Sequence, residues 1–222
     1  MKSLALIALA LLAAGCRKSE NCKAENEQVI VLAGQSNMRR FSEFGGEHAF
    51  AQAYGKATGN GNVRFINCSQ GSTVISDWQP NGYLMNRCIS MAQGLAVTAV
   101  IFYQGENDAL AVGQGTHWEN SFRGTMGGFT GAFGPNIKSF VVQLAVVEPG
   151  YLSEPGWQDI KDAQARSTFV SMVKSDDLGL NEEGAHMVPE FYPALGTRLG
   201  ETFSRVKATE CSESRSFLGI KL

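Results

Sequence analysis

Two hydrophobic patterns alternate along the chain. Predominantly apolar runs, rich in β-branched residues, occupy 29–33, 63–66, 97–103, 140–147 and 169–173. They lack the in/out alternation of a half-exposed strand, so they predict strands covered on both faces. Helical patterns fill the intervals at 47–57, 83–96 and 157–167, and a last helix carries one apolar stripe at Phe191, Leu195, Leu199, Phe203 and Val206. Pro189 and Pro193 fall in the first turns of that helix, where a missing N–H costs little. Strand–helix alternation predicts an α/β fold, a parallel sheet with helices on both sides. Ligands of such sheets bind beyond the carboxyl ends of the strands, so the residues after each run are the ones to read for chemistry.

Three of those strand ends carry small polar residues together with glycine. They are Gly34-Gln35-Ser36-Asn37-Met38, Ser69-Gln70-Gly71-Ser72-Thr73 and Gln104-Gly105-Glu106-Asn107-Asp108. A single segment of this kind is ordinary turn chemistry. Three in register on successive strands point instead to a site. Ser36 is expected at a helix start, where backbone N–H groups favour developing negative charge. A serine hydroxyl needs a base to act as a nucleophile and donors for the resulting oxyanion. The N–H of Ser36, the N–H of Gly71 and the Asn107 amide are the candidate donors.

The chain has three histidines, His48, His117 and His186. His186 lies between the fifth apolar run and the last helix, on the carboxyl side of the sheet. Glu183 precedes it by three residues, close enough in a turn or compact loop to accept from one imidazole nitrogen while the other takes the serine proton. Asp176 and Asp177, at the end of the fifth run, are alternative carboxylates for that role.

Composition narrows the classes. With 19 basic and 21 acidic side chains the net charge is -2, which gives no basic excess for phosphate contacts and argues against a nucleic-acid partner. The 44% apolar and 18% charged content suits a folded domain rather than a disordered chain. Residues 1–15 read as a secretory signal peptide: Lys2, then an apolar run from Leu4 to Ala14 too short to span a bilayer. Leu12-Ala13-Ala14-Gly15-Cys16 resembles a lipobox and predicts lipidation at Cys16, with a plain cleaved signal as the alternative. The protein is therefore expected at the bacterial cell envelope, held to the membrane only by its lipid anchor, or secreted. Residues 16–27 read as a polar tether. Cys22, Cys68, Cys88 and Cys211 permit two disulfides in an exported chain, although Cys68 and Cys88 also suit buried thiols.

Together the three blocks resemble the SGNH (GDSL-like) hydrolase superfamily, in particular its branch of sialate O-acetylesterases and family 6 carbohydrate acetylesterases. Gly34-Gln35-Ser36-Asn37-Met38 matches the first block, Gln70-Gly71-Ser72-Thr73 with Trp78 the second, and Tyr103-Gln104-Gly105-Glu106-Asn107-Asp108 the third. The resemblance covers roughly residues 28–208 and leaves 209–222 as a tail. It implies a three-layer α/β/α sandwich with a five-stranded parallel sheet, flavodoxin-like in outline. It implies a serine esterase that removes O-acetyl groups from a carbohydrate, without metal or organic cofactor. Ser36 would be the nucleophile, His186 the base, and Ser36, Gly71 and Asn107 the oxyanion donors. Glu183 stands where the family has Asp, and Phe102 where the branch often has Trp. Gln35, Gln104 and Glu106 are candidate substrate contacts, and Trp78, Trp118 and Trp157 are candidates either for sugar stacking or for core packing. The competing readings are a lysophospholipase- or thioesterase-type lipid esterase and a carbohydrate-binding lipoprotein without catalysis. An α/β-hydrolase is disfavoured because Gly-x-Ser-x-Gly is absent.

Overall fold

A computed structural model describes residues 26–147 and 155–217, with side chains to 209. The expected leader at 1–15, Cys16 and Cys22 lie outside the described residues, as does the side chain of Cys211. The apolar runs form strands β1 Gln28–Gly34, β2 Val63–Asn67, β3 Val97–Tyr103, β4 Lys138–Val142 and β5 Ser171–Val173. They make one sheet in the order β2-β1-β3-β4-β5, with every pair parallel. β1 lies between β2 and β3 and is buried along its whole length, which is why its sequence is continuously apolar.

The helices are α1 Ser36–Glu43, α2 Gly46–Thr58, α3 Tyr83–Met91, α4 Gly115–Phe133, α5 Trp157–Arg166 and α6 Tyr192–Phe217. α1, α2 and α6 pack together, and so do α3, α4 and α5, completing the α/β/α sandwich that the sequence predicts. The connection reverses direction around β1: it steps outward to β2 and returns to β3 on the other side. Such a switch point opens a crevice at the carboxyl ends of the strands. Gly34 closes β1 there with φ +126°, and a Cβ on it would lie 2.0 Å from the carbonyl oxygen of Tyr103. Only glycine lets the first and third blocks approach this closely.

Several boundaries differ from the sequence expectation. The run at 140–147 pairs with β5 only as far as Val142, after which the Gln143 N–H still reaches the Val173 carbonyl at 2.9 Å. The run at 169–173 shortens to three residues; Phe169 leaves the sheet and lies under the Arg123 guanidinium, 4.1 Å from its ring centre. The helix expected over 83–96 stops at Met91, and Gly94, at φ +77°, turns the chain into β3. α4 was not anticipated. The segment from 209 continues α6 rather than starting a separate tail.

The three tryptophans belong to the core, not to a sugar platform. Trp78 and Trp118 are fully buried and Trp157 nearly so. Each indole N–H is already satisfied: Trp78 by Thr73 Oγ1 at 3.1 Å, Trp118 by Gln104 Oε1 at 2.9 Å and Trp157 by the Ala145 carbonyl at 2.9 Å. Cys68 and Cys88 form a disulfide that ties the end of β2 to α3. Arg87 reinforces this tie by donating to the carbonyls of Cys68 and Ser69, at 2.7 and 3.0 Å, and to Gln70 Oε1 at 3.1 Å.

Candidate active site

Four segments converge at the carboxyl ends of β1, β2 and β3 on a cavity of about 350 Å³ whose lining includes Ser36, Arg40, Gly71, Glu106, Asn107 and His186. Ser36 is the first residue of α1, where N–H groups have no intrahelical acceptor. Gly71 faces it from the loop after β2; a Cβ on Gly71 would stand 3.9 Å from that of Ser36 and 3.7 Å from the Arg39 guanidinium. Asn107 follows β3. The three oxyanion candidates therefore border the same space as the Ser36 hydroxyl.

His186 arrives from the far end of the chain. Its Nε2 lies 2.9 Å from Ser36 Oγ across a separation of 150 residues. The loop that carries it is a compact reversal between Leu180 and Met187. Asn181 organises it: its N–H donates to the His186 carbonyl at 2.7 Å, and its Oδ1 accepts from the His186 N–H at 3.1 Å. His48 and His117 are exposed on α2 and α4, away from the cavity.

Among the carboxylates weighed for orienting His186, Glu183 is the one beside Nδ1, at 3.6 Å, a distance too long for a hydrogen bond. Its side chain is 75% exposed, and Nδ1 makes no hydrogen bond among the described residues. Asp176 is engaged by Lys161, and Asp177 by Arg198. Partial burial, then the Arg40 charge, holds the His186 imidazole below its ordinary value, against the pull of Glu183. A lowered value keeps the ring neutral and able to accept a proton at neutral pH.

Of the three proposed substrate contacts, Gln104 is corrected. It is fully buried and absent from the cavity wall. Its amide donates to the Thr73 carbonyl at 3.2 Å and to Asp108, and accepts from Trp118. It is therefore a strut between the second and third blocks. Gln35 and Glu106 do border the cavity, although both are largely buried. Burial pushes the Glu106 carboxyl up to about 7, against the hydrogen bond from Asn37. Sequence reading missed Asn37 and the arginine pair, Arg39 and Arg40. The closeness of two arginines to Ser36 was visible in the sequence; the partners of Asn37 were not.

The sheet order and the layers on either side are those of the SGNH hydrolase fold. A putative SGNH hydrolase from Slackia heliotrinireducens superposes with a TM-score of 0.55 at 11% identity, covering 80% of this chain and all of that one. The family model for carbohydrate esterase, sialic acid-specific acetylesterase, matches residues 39–205, and the chain belongs to that family of carboxylic ester hydrolases. A probable carbohydrate esterase of Arabidopsis thaliana is 24% identical over 150 residues, 64% of this chain, and the match takes in 55% of the relative's length. An X-ray structure of that plant protein superposes with a TM-score of 0.64 at 18% identity, covering 82% of this chain and 98% of that chain. A carbohydrate acetylesterase from Xanthomonas citri gives a TM-score of 0.62 at 18% identity, over 78% of this chain and 54% of that one.

Proposed function

We propose that the protein removes O-acetyl groups from carbohydrates through an acetyl-serine intermediate. The observation that carries this reading is the 2.9 Å contact between His186 Nε2 and Ser36 Oγ. Ser36 Oγ attacks the acetyl carbonyl as its proton passes to Nε2. The oxyanion forms against the N–H groups of Ser36 and Gly71 and the Asn107 amide. Collapse breaks the bond to the sugar oxygen, which takes the proton back from the imidazolium. Water, deprotonated by His186, then attacks the acetyl-serine, and acetate leaves with Ser36 restored. Glu183 favours the tautomer with the proton on Nδ1, which leaves Nε2 free to accept.

The cavity wall supports a short acyl group: Leu110 and Ala185 supply its apolar side chains, and apart from Gly71 the rest are polar or charged. An acyl chain of a lipid would need a continuous apolar groove. Arg39 and Arg40 border the same cavity and favour a sugar that bears negative charge. The leader sequence supports placing the protein at the cell envelope by a lipid on Cys16; a Cys16→Ser protein found in the membrane fraction would count against the anchor.

The deciding experiment compares wild type with Ser36→Ala on p-nitrophenyl acetate, acetylated xylan and O-acetylated sialic acid. The reading expects loss of all turnover in a folded variant and a steep fall in wild-type rate from acetate to octanoate esters. Unchanged turnover by Ser36→Ala, as for a binding protein with adventitious activity, would reject it; a maximum at octanoate would favour the lipid-esterase alternative.

A further inference from the structure

The Glu183 carboxylate beside His186 makes an exposed, long contact, yet Nε2 stands in hydrogen-bond register with Ser36. The side chain next to the nucleophile accounts for that register. Asn37 is buried in the first turn of α1 and uses every hydrogen-bonding position its carboxamide has. Nδ2 donates to the Ala185 carbonyl at 2.9 Å and to Glu106 Oε1 at 2.6 Å. Oδ1 accepts from the Met187 N–H at 3.0 Å and from the Tyr192 hydroxyl at 2.7 Å. Ala185 and Met187 are the two neighbours of His186. One planar group thus grips the backbone on both sides of the base, and it does so from the residue that follows the nucleophile.

We propose that Asn37 is the main positioning residue for His186, holding the imidazole over Ser36 Oγ by clasping the peptide groups that flank it, with Glu183 secondary. Three features support this. The clasp is buried and saturated, whereas the Glu183 contact is solvated. It spans the two catalytic segments directly, so any relative movement of α1 and the 180–187 loop strains the bonds to Ala185 and Met187 together. Its remaining partners, Glu106 after β3 and Tyr192 at the start of α6, are themselves buried or nearly so, so the clasp is anchored on groups shielded from solvent.

The proposal rests on the Ser36–His186 reading, and the test separates the two. Asn37→Ala is expected to lower kcat on p-nitrophenyl acetate about 100-fold, the effect of a base displaced by about an ångström, with KM changed less than about threefold. Because Asn37 acts through His186, the same substitution in a His186→Ala background should cost less than about threefold of the residual rate. An equal loss in both backgrounds would mean a general structural role and overturn the proposal, as would a Glu183→Gln loss larger than that of Asn37→Ala. If His186→Ala itself keeps wild-type kcat, the esterase reading fails and not merely the clasp. Should Asn37→Ala not fold, Asn37→Asp carries the same test: it keeps the acceptor for Met187 and Tyr192 but loses both donations, and the same dependence on background is expected.

Discussion

Arg198 grips Asp177 through two parallel hydrogen bonds of 2.8 and 2.7 Å, a bidentate pair at the start of the loop that later delivers His186. The arrangement narrows the carboxylates free to face His186. Asp177 is spent on α6, Asp176 is spent on Lys161, and Glu183 alone of the three stands at Nδ1. Asp177→Asn should therefore leave kcat/KM on aryl acetates within about twofold of wild type across the pH range. Asp176→Ala should act on stability instead, because Lys161 is nearly buried and would keep only the Leu144 carbonyl, at 2.8 Å. A group left so partly satisfied costs about 1–3 kcal/mol, read as a lower melting temperature at unchanged kcat.

The pH dependence of hydrolysis follows from the surroundings of His186. Partial burial and the Arg40 charge both disfavour the imidazolium, so the acid limb of kcat/KM should have its midpoint below the unperturbed value of about 6.5. Activity is present above that midpoint and is lost as the pH falls through it. Arg40→Gln removes a cation, which stabilises the imidazolium and moves the midpoint to higher pH. The same variant should lose more of its rate on acidic than on neutral acetyl sugars. A midpoint that stays put or moves down would exclude Arg40 as an electrostatic neighbour of the base.

Glu106 ties stability to pH in the opposite sense from a salt-bridged carboxylate. Its folded value, about 7, lies above the unfolded value of about 4.3. The native state therefore holds this proton more tightly than the unfolded chain does. The corresponding stability is fully present below about pH 4.3 and is lost as pH rises through about 7, amounting to at most roughly 4 kcal/mol. Glu106→Gln keeps an acceptor for Asn37 and removes the titration. Its melting temperature relative to wild type should rise between pH 5 and pH 8; a constant difference would show that Glu106 ionises normally.

The disulfide should matter to both stability and rate. Closing a loop between Cys68 and Cys88, 20 residues apart in sequence, stabilises by about 3 kcal/mol in the chain-entropy account. For a domain of this size that corresponds to a melting temperature lower by on the order of 10 °C after reduction. Because the bond and Arg87 together fix the loop that presents Gly71, Arg87→Ala should lower kcat more than it raises KM on p-nitrophenyl acetate.

Much of this architecture was readable beforehand because strands buried on both faces leave an unmistakable trace; β1 and β3 are the clearest cases. α4 left a trace that glycine hid. Five glycines sit in Gly115–Phe133, and glycine is a poor helix former. Yet Trp118, Phe122, Met126, Phe129 and Phe133 recur at helical spacing, and tertiary burial outweighs the local cost. Two of those glycines have a packing reason: a Cβ on Gly115 would lie 2.6 Å from the Asp159 carbonyl oxygen, and one on Gly128 would meet Met85 Sδ at 2.5 Å. In the site, Ser36, Gly71, Asn107 and His186 stood at strand or loop ends where chemistry was expected. Gln104 was misread because a polar residue after a strand looks the same whether its amide faces the crevice or an indole in the core. Asn37 could not be read at all: its partners lie up to 155 positions away, and nothing in local spacing marks a side chain that bonds to distant backbone.

The separation of Ser36 from His186 along the chain has a consequence for how the protein is made. A nascent polypeptide that has emerged as far as β4 already displays Ser36 but not yet His186. The contact between the two forms only when the last loop folds back and α6 docks, so under the proposed mechanism incomplete chains still leaving the ribosome are chemically silent toward esters they meet on the way.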